Sequence, residues 1–454
     1  MPVTSKSKQI ITIIALIIFS FIGVFFITAS EMPKYRGFMI FFIFIILSDF
    51  YLWYSVKSFI CKQTQVLKYS LIFFYWLSLI FSFIFFIALF IIDIKYWNYL
   101  VRTYLTASML LFYAPKIFAI LCLLLADLLR LIKFSYTFIF KRNKFCQKFN
   151  NARWKPLLYF GNIGALFIFI ILLRGMIFGE FDFRVKKISI EFEQLPAAFD
   201  GLKIVQISDI HLGSWYGKPP LERAVEMINN LQPDIICFTG DLVNYTTSEA
   251  NRYEDVLKKL QAPMGKFAIL GNHDYGEYVV WENEHEKSQN MLELYNFQKR
   301  IGWDLLLNSN TRIQKDSSFI CIAGVENWGK NFRFPKKGDI NKALSGINRN
   351  TFTILLSHDP SHWDEIISKN YQYIPLTLSG HTHGMQMGIV GKNFEWSPAK
   401  YLYKHWAGLF LNENSAAPQY LYVNRGLGVI GYPGRIGILP EITLIELKRK
   451  IQTK

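Results

Sequence analysis

Five apolar stretches of about 20 residues each crowd the first 180 positions of the chain, at 10–29, 38–56, 70–92, 104–126 and 157–178. A hydrocarbon core about 30 Å thick is crossed by about 20 apolar helical residues. The spacing therefore predicts five transmembrane helices within residues 1–179, which leaves 180–454 to fold outside the bilayer. The first stretch follows Lys6 and Lys8 and ends in Ile27-Thr28-Ala29-Ser30, a faint likeness of a signal-peptidase site. Its apolar run is longer than a secretory h-region and four more spans follow, so it reads as an uncleaved anchor.

Charge is divided the same way. Residues 1–179 hold 19 Lys+Arg and 4 Asp+Glu, whereas the remainder holds 31 basic and 30 acidic residues. Of the overall formal charge of +16, the membrane half thus carries +15. The near-neutral remainder has no basic footprint for a polyanion, which excludes nucleic acid as the expected partner. The loops after the second and fourth spans are basic and the other two are mixed. The positive-inside rule then places the N-terminus in the cytoplasm and, after five crossings, the C-terminal domain on the exoplasmic side. Asp49 and Lys116 fall at one depth in spans two and four. They read as a structural intramembrane ion pair rather than an ion path.

Five cysteines (Cys61, Cys122, Cys146, Cys237 and Cys321) form no CxxC pair. Cys237 and Cys321 lie in strand-like apolar runs, where free cysteine behaves as a small hydrophobe. Neither a disulfide framework nor a thiolate metal site is indicated.

From about residue 186 the pattern is that of an α/β domain. Short apolar runs at 202–208, 234–239, 267–270, 352–356 and 376–378 read as buried strands separated by helical segments. Each stops at residues able to bind a metal: Asp209-Ile210-His211, Gly240-Asp241, Gly271-Asn272-His273-Asp274, Ser357-His358 and Gly380-His381-Thr382-His383. Ligand crevices of such sheets open at the carboxyl ends of strands, so these groups can converge. Five of the eight histidines fall in these motifs. Singly, each motif is weak; as an ordered set at strand ends they point to a metal centre.

The order DxH, GDxxN, GNHD, SHD and GHTH resembles the calcineurin-like metallophosphoesterase superfamily, over about residues 186–448. Ser397-Pro398, Trp406-Ala407-Gly408-Leu409 and the stretch 424–442 resemble its membrane-attached bacterial branch. The resemblance implies a four-layer α/β/β/α sandwich following the α-helical membrane domain, with two divalent metals at the edge of the central sheets. It implies that Asp209, His211 and His383 hold one metal, that Asn272, His358 and His381 hold the second, and that Asp241 bridges them. His273 would stand beside the substrate phosphate as the catalytic residue. Oxygen and imidazole ligands suit manganese, iron or zinc, with manganese preferred. The protein-phosphatase members carry GDxVDR, but here Asn244-Tyr245 replace the second Asp and the Arg. An Asp–His dyad through that position is not expected, and a phosphoprotein substrate becomes a poorer fit.

Among the remaining polar residues, Arg425 of the glycine-rich stretch is a candidate phosphate ligand or a structural arginine, with Asn424 and Arg435 beside it. His405 and Trp406 read as part of a packed aromatic cluster. His285 and His362 read as helix-surface residues, and 277–300 as a solvated helical insertion with the character of a lid. The expected function is hydrolysis of a phosphomonoester, phosphodiester or pyrophosphate in an amphiphilic lipid or envelope substrate at the bilayer. The alternative is a transporter or membrane sensor with a metal-binding regulatory domain.

Overall fold

The computed structural model describes residues 36–450 apart from 93–96, 98, 141–152, 332–333, 393 and 416. The chain forms two compact units, one of Met1–Tyr96 with Ser108–Ile170, the other of Trp97–Ala107 with Ile171–Lys454. The second thus takes in more chain than the boundary expected at 180.

Among the described residues, four helices are long and apolar enough to cross a membrane: α1 (Arg36–Ile60), α2 (Gln65–Ile91), α3 (Tyr99–Phe140) and α4 (Lys155–Arg174, continued by a wider turn at Gly175–Gly179). They cover the four expected spans from 38 onward. The span expected at 10–29 lies outside the described residues. Pro115 sits inside α3 without ending it, as apolar surroundings and neighbouring helices permit. Within the first unit Gly161 and Gly164 let α4 approach Cys122 and Phe118 of α3, the small-residue contact common between membrane helices. Asp49 is fully buried and pairs with Lys116, which also donates to Ser78. Tyr113 donates to Asp49 Oδ2 at 2.9 Å, and Ser82 Oγ to the Tyr113 hydroxyl at 3.0 Å. Every charge in this cluster has a partner, as the structural reading expects.

Among the described residues, the second unit contains two six-stranded sheets. Its strands are β1 (Arg184–Phe192), β2 (Leu202–Ile207), β3 (Ile235–Phe238), β4 (Lys266–Ala268), β5 (Asp304–Leu305), β6 (Ser309–Lys315), β7 (Ser318–Gly324), β8 (Thr353–Leu356), β9 (Leu376–Ser379), β10 (Ile389–Val390), β11 (Glu395–Trp396), β12 (Gly408–Leu411), β13 (Tyr420–Val423) and β14 (Glu441–Arg449). The first sheet runs β1-β14-β2-β3-β4-β5 and the second β12-β13-β9-β8-β7-β6, with β10 and β11 forming a separate hairpin. The central strands β2, β3 and β4 of one sheet, and β7, β8 and β9 of the other, pair in parallel. Apart from the start of β7, they are buried on both faces, which explains their apolar runs.

Ile204, Ile235, Cys237 and Phe267 of the first sheet interdigitate with Ile322, Ile354, Leu356 and Leu378 of the second. On the outer face of the first sheet pack α5 (Lys218–Asn229), through Leu221 and Ile228, and α6 (Glu284–Arg300), through Leu294 and Phe297. Ile340, Ala343, Trp363 and Ile367 cover the second. The result is the α/β/β/α sandwich implied by the motifs. Two local expectations are corrected. α6 is a layer of the fold rather than a lid, because Leu294 and Phe297, at i and i+3, share one apolar stripe. His362 is not a surface residue but 1% exposed, stacked on Trp328 and bonded to Ser357 Oγ at 2.9 Å.

Candidate metal centre

β2, β3, β8 and β9 all end at one edge, and each hands the chain to a tight turn carrying site residues. Gly240 has φ +97°, and a Cβ there would meet His358 Nδ1 at 2.9 Å, so only glycine fits. Asp209, His211, Asp241, His381 and His383 are five of the ten non-glycine residues with positive φ among the described residues. Such backbone costs on the order of 1–3 kcal/mol per residue and persists where surrounding structure enforces it, commonly at functional sites.

The turns bring all seven expected ligands together. His211 Nε2 lies 3.1 Å from His383 Nε2, which lies 3.3 Å from Asp209 Oδ1. His358 Nε2 lies 3.2 Å from Asn272 Oδ1, from His381 Nδ1 and from Asp241 Oδ2. Asp241 Oδ2 is also 3.6 Å from His211 Nε2, which sets it between the two groups. Donors bound to one ion at about 2.1 Å stand roughly 3.0–3.4 Å apart in octahedral or tetrahedral arrangements. The spacings fit a cation in each cluster. His358 Nδ1 donates to the Thr239 carbonyl at 2.7 Å, which fixes its tautomer and leaves the Nε2 lone pair for a metal.

Burial and mutual charge set the protonation of these groups. Burial opposes ionisation of Asp209, but His383 and His358 overcome it and hold the carboxyl below its usual range. Burial likewise opposes ionisation of Asp241, and His358, His273 and His211 hold it well below. Burial keeps His211 and His381 below the ordinary imidazole range. His358 goes the other way: burial disfavours its charge, yet Asp241 and Asp209 raise it to about 10. A cation would take over the role of that proton.

His273 is held on three sides. Its backbone N–H donates to Asp241 Oδ1 and its Nδ1 to the Asn244 carbonyl, both at 2.8 Å. Its ring stacks on Tyr278 with centroids 4.3 Å apart. Its Nε2 is therefore the atom available to a substrate. Together with His211, Asp241, Asn272, His381 and His383 it lines a cavity of about 330 Å³, whose other walls include Phe334, Met385, Gln386, Tyr403, Ile430 and Tyr432.

Arg425 is not among the residues lining that cavity. Its guanidinium pairs with Glu395 and lies 3.5 Å from Glu441. His405 sits in an aromatic cluster against Trp363 and Phe410 and contacts Asp364 Oδ1 at 2.7 Å. His285 is exposed on α6. Sequence reasoning gave no role to Asp274, whose carboxylate accepts from the backbone N–H of Asp241, Leu242 and Gly271 at 2.8–2.9 Å and so ties the two turns together. Burial and the charge of Asp241 push its carboxyl up to about 7. Tyr403, whose hydroxyl is 2.8 Å from His381 Nε2, was missed too; neither residue has a local sequence signal beyond Asp274's place after GNH.

A calcineurin-like phosphoesterase family matches residues 202–385, and a family described as probable calcineurin-like phosphoesterase, transmembrane domain, matches residues 34–180. The uncharacterized metallophosphoesterase YkuE of Bacillus subtilis is 32% identical over 262 residues, 57% of this chain and 84% of that protein. A transmembrane protein with metallophosphoesterase domain from Danio rerio is 30% identical over 287 residues, 62% of this chain; the match spans 61% of that longer relative. The UDP-2,3-diacylglucosamine pyrophosphatase LpxG of Chlamydia trachomatis is 29% identical over 289 residues, 54% of this chain and 83% of that protein. With four apolar helices among the described residues and the transmembrane-domain match, the chain is an integral membrane protein.

Proposed function

Because the chain belongs to the calcineurin-like metallophosphoesterase family, we propose that it is a membrane-anchored two-metal hydrolase of phosphoester or pyrophosphate bonds in an amphiphilic substrate. The observation that carries this reading is the position of Asp241 Oδ2, 3.2 Å from His358 Nε2 and 3.6 Å from His211 Nε2, shared by two ligand groups. Asp209, His211 and His383 would hold one ion, Asn272, His358 and His381 the other, with Asp241 bridging. Manganese, iron or zinc suits such donors, manganese being preferred. When bound, two such ions lower the pKa of a bridging water and neutralise charge on the phosphoryl oxygens.

The chain's own residues do the rest. Asp274 fixes the turns that present Asp241 and Asn272. His273, with Nδ1–H engaged by Asn244, offers Nε2 to the substrate, where in its protonated form it donates to the leaving oxygen. The apolar walls Phe334, Met385, Ile430 and Tyr432 suit a substrate whose phosphate carries a hydrophobic group. The Chlamydia relative's name supports a lipid-linked pyrophosphate. The basic inner loops favour a catalytic unit on the exoplasmic face of a bacterial cytoplasmic membrane; C-terminal alkaline phosphatase and fluorescent-protein fusions test that face directly.

The defining experiment uses full-length protein in detergent. It should carry close to two divalent ions per chain and hydrolyse bis(p-nitrophenyl) phosphate, and Asp241→Asn should lose both properties. Full turnover and metal content in that variant would sink the two-metal reading.

A further inference from the structure

Outside the metal site, the least ordinary surface of the second unit is an apolar strip on the β10–β11 hairpin and the turn that follows it. Ile389 is 61% exposed, Val390 44%, Phe394 59%, Tyr401 72% and Leu402 71%. Single exposed apolar side chains are normal, but five large ones within fourteen residues, on both faces of a two-stranded hairpin and on the turn that follows it, mark an interaction surface. Lys392, Lys400 and Lys404 are exposed among them. The one acidic residue between 386 and 412 is Glu395, and Arg425 pairs with it. The strip therefore combines greasy side chains with uncompensated positive charge, the pairing that suits the interface of an anionic bilayer.

Its position in the fold supplies the reason. Tyr432 donates to the carbonyl of Leu172, and Arg435 N donates to the Gly175 carbonyl at 3.2 Å; both acceptors lie in the end of the last apolar span. Gly179 and Gly434 have no room for a Cβ at this contact, so the two backbones touch. Ile436 N in turn donates to the Gln386 carbonyl, and Gly388 N to the Ile436 carbonyl, both at 2.8 Å. The hairpin thus begins one strand spacing, about 4.8 Å, from a loop bonded to the end of a membrane-spanning segment. Met385, Gln386, Ile430 and Tyr432, on the same two segments, also line the metal cavity.

We propose that the strip of Ile389, Val390, Phe394, Tyr401 and Leu402 inserts into the outer part of an anionic phospholipid leaflet, so that a lipid-borne phosphate reaches the metals without leaving the bilayer. The consequence for the substrate rests on the phosphohydrolase reading, whereas the lipid contact does not. Arg425 gains a role from this: its pairing with Glu395 anchors the base of the hairpin, which fits its absence from the cavity wall.

The test uses the full chain reconstituted in phosphatidylcholine–phosphatidylglycerol vesicles doped with a diazirine-bearing phospholipid. After illumination, peptides covering 385–404 should carry lipid adducts alongside those of α1–α4. The double variant Phe394→Asp with Leu402→Asp should lose adducts on the strip by roughly fivefold or more while keeping those on the helices. Its bis(p-nitrophenyl) phosphate turnover should stay at the parent level, which reports an intact fold. Adducts confined to the helices in the parent chain would overturn the proposal. Strip labelling in a chain that hydrolyses no phosphoester would instead retain the lipid surface and remove the hydrolase reading.

Discussion

His273 Nδ1 lies 2.8 Å from the carbonyl oxygen of Asn244, so the backbone rather than a carboxylate sets the tautomer of this imidazole. A carbonyl can only accept, which puts the proton on Nδ1 of the neutral ring. The Asn244 side chain points elsewhere, its Nδ2 donating to Ser214 Oγ at 3.0 Å. Asn244→Ala should therefore change kcat less than about tenfold, whereas His273→Ala should lose roughly 10²–10⁴ in rate with both metals retained. Metal loss in His273→Ala, measured by elemental analysis, would make His273 a ligand.

The proton on His358 makes metal loading visible by calorimetry. Despite burial, Asp241 and Asp209 raise this imidazole to about 10. It is thus protonated at pH 8, and ligation through Nε2 requires that proton to leave. Manganese titration at pH 8 in buffers of different ionisation enthalpy should report release of about one proton per chain, and apparent affinity should fall about tenfold per pH unit lowered. A binding enthalpy independent of buffer would contradict this.

Much of the site was legible because β2, β3, β8 and β9 are buried on both faces. An apolar run that must stop at a strand end makes the following Asp or His conspicuous. Contacts between distant segments leave no such mark. Tyr403 reaches His381, and Arg102 reaches Glu249, across sequence gaps that no local pattern connects. Polarity also misleads where few residues decide: Leu294 and Phe297 bury one side of the acid-rich α6, and a stack on Trp328 with a hydrogen bond to Ser357 holds His362 inside. The boundary near 180 followed hydropathy, but Leu172 and Gly175 bond to the 432–435 loop, so contacts extend the second unit into the apolar span.

Arg102 and Glu249 lead to a prediction about positioning. Glu249 Oε2 accepts from the backbone N–H of Asn244 at 2.7 Å and of Tyr245 at 3.2 Å, while Arg102 stands 3.4 Å from Oε1 and 3.8 Å above the Tyr245 ring. Glu249 thereby holds the turn whose carbonyl orients His273. Glu249→Ala should lower kcat by about tenfold with metal content and KM little changed, and Glu249→Gln should restore part of it through its remaining acceptor oxygen. Equal losses in the two variants would indicate that the charge, not the hydrogen bond, matters.

The Asp49–Lys116 pair carries the last prediction. Asp49 is fully buried in the first unit, and its partners Lys116 and Tyr113 come from one helix, α3. Removing one member of a buried pair leaves the other charge unpaired, at a cost of about 3–5 kcal/mol, whereas replacing both with apolar side chains is often close to neutral. Lys116→Met should accordingly lower the thermal unfolding transition of the full-length protein in detergent by several degrees. The double variant Asp49→Leu with Lys116→Met should recover most of that loss. Turnover of a soluble phosphoester, measured below the transition, should follow the folded fraction in both. If Lys116→Met keeps its stability but abolishes turnover, the pair is functional rather than structural, and the transporter or sensor alternative regains its best argument.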